Sequence, residues 1–94
     1  MGSTKNSRQL ERHFKGVANH WRIEILLVVR DNPDISVEDI AQVVGGNFKT
    51  ISEHTRRLVQ AGLLQKTYRG RTVGQALSPY GKIFVRFIKS FQHS

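Results

Sequence analysis

The sequence predicts a mainly α-helical chain carrying one small β-hairpin, with about five helices and two short strands. Three observations predict it. Apolar residues recur at three- and four-residue spacing through most of the chain. Good N-cap residues, Asn19, Ser36, Asn47 and Ser78, stand immediately ahead of four of these runs. The segment from Leu64 to Leu77 is broken only at Arg69-Gly70-Arg71, and Gly70-Arg71 fits the Gly-X pair of a two-residue type II′ turn. A length of 94 residues suits a single domain, expected over 8–94. Residues 1–7 are expected to be a disordered tail or expression remnant, most plainly at Met1-Gly2-Ser3.

The elements follow in order. Leu10, Phe14 and Val17 predict a first helix of two to three turns, which Gly16 ends or bends. Asn19 caps a second helix running to about Arg30 and stopped by Asn32-Pro33. With Trp21, Ile23, Ile25, Leu26, Leu27, Val28 and Val29 it is apolar around most of its circumference, as a central core helix must be. A buried strand over 25–29 is the competing assignment, and the flanking caps favour the helix. Ser36 and Asp39 form a capping box for a third helix, with Ile35 and Ile40 spaced as a hydrophobic staple. Ile40, Ala41, Val43 and Val44 are its expected buried face. Gly45-Gly46 breaks it, and Asn47 caps a fourth helix running to about Ala61. In that helix Ile51, Thr55 and Leu58 fall on one side, while Lys49, Thr50, Glu53, Arg56 and Arg57 fall largely on the other. Gly62 sits at C′. Strands at 64–69 and 72–77 follow; then Ser78 caps, Pro79 takes the first helical position, and a last helix runs to about Phe91.

Composition excludes several functions. Cysteine is absent, which removes disulfides, thiolate metal sites and thiol catalysis together. The longest aliphatic run is five residues, far short of a membrane span. No nucleophile elbow, phosphate-cradling Gly-rich loop or cleft carboxylate pair is present, so no enzyme is expected. No cofactor is expected either. His13, His20 and Glu24 are the only hint of a metal site, and such residues on polar helix faces are ordinarily solvated or capping groups. No signal segment follows the N-terminus, so a cytoplasmic protein is expected.

The net charge of +8 is unevenly placed. Residues 1–39 carry six basic and six acidic side chains; residues 40–94 carry nine basic ones and the single acid Glu53. Such asymmetry points to a polyanionic partner, nucleic acid or an anionic membrane surface. Two short helices joined by a glycine turn, then a basic-tipped hairpin, describe a winged helix-turn-helix. In that arrangement the second helix, about 48–61, enters the major groove with short polar or basic side chains reaching base edges. Asn47, Lys49, Thr50, Ser52, Glu53 and His54 are the candidates for that reading edge. Arg56, Arg57, Arg69 and Arg71 are the candidates for holding phosphates. Glu53 has a second reading, an ion pair with Arg56 or Arg57 at helical spacing, and His54 a second reading as a packing or capping group between helices.

At these residues the chain resembles the ArsR-type repressors, the arsenic- and metal-responsive winged-helix family. Ala18-Asn19-His20-Trp21-Arg22-Ile23-Glu24-Ile25-Leu26 is similar to the start of that family's core helix. Ile35-Ser36-Val37-Glu38-Asp39-Ile40-Ala41 looks like its entry into the motif. Thr50-Ile51-Ser52-Glu53-His54, then Leu58 and Ala61-Gly62-Leu63-Leu64, resembles its recognition helix and exit. Gly70-Arg71 stands where its wing turn has glycine and arginine. The resemblance spans roughly residues 15–90 and implies a dimeric, double-stranded DNA-binding transcriptional repressor. Neither inherited metal site is implied: Val37-Glu38-Asp39 stands where thiophilic-metal sensors place cysteines, and Pro79 to Ser94 holds no acid and only His93. Thr55 replaces a usual leucine and Gln75 a usual aromatic, which bears on packing under the wing.

The last helix carries a second signal. Tyr80, Ile83, Phe84, Phe87, Ile88 and Phe91 form a broad apolar stripe, with Lys82, Arg86 and Lys89 on the opposite face. Core packing, a dimer seam and a basic amphipathic helix on a membrane all fit this pattern. The family's dimers are built from terminal helices, so the resemblance implies a homodimer interface at the stripe, completed by Leu10, Phe14 and Val17. Such a dimer would present two reading helices to half-sites roughly 34–36 Å apart. The rival is a winged helix used as a protein-interaction or anionic membrane-surface module.

Overall fold

Every helix begins on a side chain that captures a first-turn amide. In the computed structural model, which describes residues 4–93, the helices are α1 (Ser7–Val17), α2 (His20–Asp31), α3 (Val37–Val44), α4 (Phe48–Gln60) and α5 (Pro79–Gln92). The side chains of Asn19, Ser36, Asn47 and Ser78 accept from amides two or three residues on, as their types predict. Only one arm of the Ser36 box is made: Ser36 Oγ accepts from the Asp39 amide at 3.2 Å, with no return bond among the described residues. The complete box lies instead at Asn6 and Gln9, whose side chains each accept from the other's amide at 2.9 Å. Asn6 therefore caps α1, whose first residue is Ser7. The remnant expected at Met1-Gly2-Ser3 lies outside the described residues.

Residues 25–29 are helical, so the strand alternative fails. Ile25, Leu26 and Val29 of α2 are buried at the centre of the molecule, and α2 touches every other helix as well as the hairpin. Ile40, Ile51, Leu58, Leu63, Leu64 and Val85 close the core around it. Two expectations need correction, and one core residue was not anticipated. Val43 is 62% exposed, because α3 is short and faces the core with Ile40 and Ala41, flanked by the half-buried Val37 and Val44. Val17, expected in the dimer seam, is buried in the core cluster. Val85, outside the expected stripe, is the apolar residue by which α5 is most deeply anchored. Gly16 is the penultimate residue of α1, where a Cβ would stand 2.4 Å from the Ala61 Cβ, so it sets how closely α1 meets the end of α4.

The hairpin pairs β1 (Leu64–Arg69) with β2 (Thr72–Leu77), in register from Leu64↔Leu77 to Arg69↔Thr72. Gly70 takes φ 61° while Arg71 stays out of the left-handed region, which distinguishes a type II′ turn from type I′. A third chain segment joins this ribbon. Ile35 bridges Gln75, whose amide donates to the Ile35 carbonyl at 2.9 Å and whose carbonyl accepts from the Asp34 amide at 2.9 Å. Gln75 is consequently buried, with Oε1 unpartnered among the described residues. Next to it, a Cβ on Gly74 would fall 2.3 Å from the Asp34 carbonyl oxygen, so only glycine permits this approach. Helices α3 and α4 with this ribbon make a winged helix-turn-helix.

Candidate nucleic-acid interface

The reading helix is held from behind and capped in front. Gly45, at φ 72°, ends α3 in the left-handed conformation, and Asn47 Oδ1 then accepts from the Lys49 and Thr50 amides. Ile51, Thr55 and Leu58 bury the inner face of α4. Thr55 Oγ1 donates to the Ile51 carbonyl at 2.8 Å, so a hydroxyl is accommodated in the core without an unmet polar group. This locks the rotation of α4 and turns Lys49, Thr50, Glu53, Arg56 and Arg57 to solvent, with Ser52 and His54 half-buried at the edge. Asn47 is exposed, but its oxygen is already used by the cap, which leaves its amide nitrogen to reach outward. Phe48, absent from the expected set, is 53% exposed at the mouth of the helix. An exposed phenylalanine there is suited to a thymine methyl group, and its position one residue after the cap was the available signal.

Charges on this face are partly paired. Glu53 accepts from Arg56 in a two-pronged contact and from Arg57 Nε at 3.2 Å. The Arg56 hydrogen bonds foremost, then those of Arg57, hold the Glu53 carboxyl below its ordinary range. His54 Nδ1 accepts from Arg22 Nε at 3.1 Å, which joins α2 to α4 and places the ring proton on Nε2. Burial first, then the neighbouring Arg22 charge, lower the His54 pKa, so the ring is neutral at pH 7. The residues therefore satisfy both of the plainer readings, an ion-paired glutamate and an inter-helix histidine.

Arg57 also lines a shallow cleft of about 210 Å³ with Arg12, Lys15, Arg22 and Gln60. Sequence reasoning missed this cluster because Arg12, Lys15 and Arg22 come from the half of the chain whose net charge is zero. On the wing, Arg69 pairs with Asp34, whereas Arg71 is exposed and without an ion pair among the described residues. Neither shares a hydrogen bond or ion pair with the Glu53 cluster among the described residues.

The outer face of α1 and α5 is apolar and uncovered. Leu10, Phe14, Tyr80, Ile83, Phe87 and Phe91 are all exposed, Phe84 and Ile88 half-buried. Phe14 meets Phe84 edge-on at 5.3 Å between ring centres, and Lys5 Nζ lies 4.3 Å from the centre of the Tyr80 ring. His13 stands behind this face, donating from Nδ1 to the Ala61 carbonyl at 3.0 Å. Among the described residues no three His, Asp or Glu side chains converge as metal ligands, and no helix is long and apolar enough to cross a membrane.

Residues 20–65 match the family described as winged helix-turn-helix DNA-binding. Among solved structures, HlyU from Vibrio cholerae is similar at 25% identity and a TM-score of 0.83, covering 98% of this chain and 100% of that one. A homodimeric winged helix-turn-helix DNA-binding domain from Mycobacterium bovis, a possible ArsR-family transcriptional regulator, has 21% identity and a TM-score of 0.81, covering 99% and 91%. An ArsR-like transcriptional regulator from a Rhodococcus species has 20% identity and a TM-score of 0.73, covering 92% and 81%. No curated protein matches significantly.

Proposed function

Given a winged helix-turn-helix DNA-binding domain with HlyU and ArsR-like regulators as structural neighbours, we propose that this chain is a sequence-specific transcriptional repressor. It acts in the cytoplasm as a homodimer on double-stranded DNA. Residues 8–94 work as one domain. Helix α4 lies in the major groove, where Lys49, Thr50 and Ser52, with the free amide of Asn47, read base edges. Glu53 accepts from a cytosine amine or releases its arginines to phosphates, and His54 presents its Nε2–H. Arg56, Arg57, Arg69 and Arg71 hold the backbone on either side.

One observation supports this reading above the rest. A helix whose inner face is fixed by Ile51, Thr55 and Leu58 displays a polar and basic outer face, and the hairpin that follows it carries Arg69 and Arg71 exposed at its tip. A lipid-binding module has no use for that pairing. The uncovered α1/α5 face supports the dimer, as does the homodimeric state of the Mycobacterium bovis neighbour.

The test is duplex selection from a random pool, followed by binding of the selected duplex against salt, with anionic vesicles in parallel. The selected duplex should bind at least about 10³-fold more tightly than unrelated DNA, with affinity falling steeply as salt rises. Binding to vesicles with no duplex preference would sink the proposal.

A further inference from the structure

Helix α2, the hairpin and α5 enclose a groove of about 630 Å³ that shares no lining residue with the α1/α5 face. Its floor is apolar, built from Val29, Val85, Leu77 and Pro33. Its rim is cationic: Arg30 on α2 faces Lys82, Arg86 and Lys89 on α5. These three α5 cations repeat at helical spacing on a helix that holds no acid, and like charges four apart repel. None of the three has an ion pair among the described residues, no acid lines the groove among them, and Asp31, next to Arg30 in sequence, is bound to it at 2.8 Å.

An occupant must answer both features. Inorganic phosphate or a nucleic-acid backbone would leave the apolar floor wet, and a neutral hydrocarbon would leave the cations uncompensated. The volume is that of a small-molecule site. We infer that the α2–β2–α5 groove binds a small carboxylate with an apolar body, its tail on Val29, Leu77 and Val85 and its head between Lys82, Arg86 and Arg30. Leu77 ends the wing's second strand, while Val85 belongs to the helix of the proposed seam. A bound ligand would thus span the base of the wing and α5, which, on the DNA-binding reading above, makes it an effector.

Decanoate, titrated into the isotope-labelled full chain and followed by amide NMR shifts, tests the site directly. Saturable shifts are expected around Val29, Leu77 and Val85. Lys82→Gln/Arg86→Gln should weaken decanoate at least about tenfold, as should replacing decanoate by decanol or by inorganic phosphate. Shifts confined to Leu10, Phe14 and Phe87, equal affinity for decanol, or an unchanged affinity in the double variant would each overturn it. Both substitutions are at exposed positions, and Arg30→Gln, at the third exposed position of the proposed head site, provides a second variant with the same expectation should the first misfold. Effector action is read separately, as the change in affinity for the selected duplex when decanoate is added. Failure to select any duplex would count against the regulator and leave the decanoate result standing. Saturable groove binding with unchanged duplex affinity would overturn the effector role alone.

Discussion

Arg69 and Arg71 flank the same glycine, yet the fold treats them differently. Arg69 is drawn to Asp34, while Arg71 stands in solvent without an ion pair among the described residues. Arg71→Ala should weaken binding to every duplex and lower the salt dependence by about one unit of slope, measured by anisotropy across a salt series. A changed sequence preference would count against its backbone role. Arg69→Ala should cost less, since DNA must first compete with Asp34 for that side chain. His54 responds to pH instead. Its folded pKa is lowered by burial and by Arg22, so the unfolded chain takes up the proton more readily. Stability should therefore be complete above the ordinary value of 6.5 and fall as pH drops through it towards the folded pKa, because protonated Nδ1 cannot accept from Arg22. Melting at about pH 7.5 and about pH 5.5 should show a larger loss for the native chain than for His54→Gln. The Glu53 pairing was legible because its partners lie three and four residues away on one helix. The Arg22 partner of His54 was not, because it lies 32 residues away in sequence.

Local signals reported the elements well for a physical reason. An N-cap bond closes within three residues, so Asn19, Ser36, Asn47 and Ser78 can be read without knowing the fold. The two-residue hairpin turn is equally local. What faces inward is not: Val43 is exposed and Val85 buried because tertiary neighbours decide which part of an apolar arc is covered. The Ile35–Gln75 bridge left no local trace either, since it joins residues 40 positions apart. Gly74 marks the same junction. Gly74→Ala should destabilise the protein by about 1–3 kcal/mol in chemical denaturation, because the new methyl group meets the rigid Asp34 backbone. A neutral result would mean that the wing slides off Ile35 at little cost.

For the molecule as a whole, charge by chain half and charge by surface are different quantities. The neutral first half contributes Arg12, Lys15 and Arg22 to the cleft beside Arg57, and only folding brings them there. The apolar α1/α5 face makes a parallel demand at this scale. Phe87→Glu, an exposed position, should leave the melting of the isolated chain nearly unchanged while shifting sedimentation from dimer to monomer and abolishing tight binding to a two-half-site duplex. A variant that stays dimeric would place the seam elsewhere. The bridge at Ile35 has a consequence for such a dimer. Ile35 precedes Ser36, the residue that caps α3, so the wing is tied to the start of the helix-turn-helix by one short stretch of backbone. In the proposed dimer, wing and helix-turn-helix would then turn as a single piece, like the jaw of a caliper. Base changes within a half-site would be judged by α4, whereas extra base pairs between half-sites would be judged by the stiffness of the proposed α1/α5 seam.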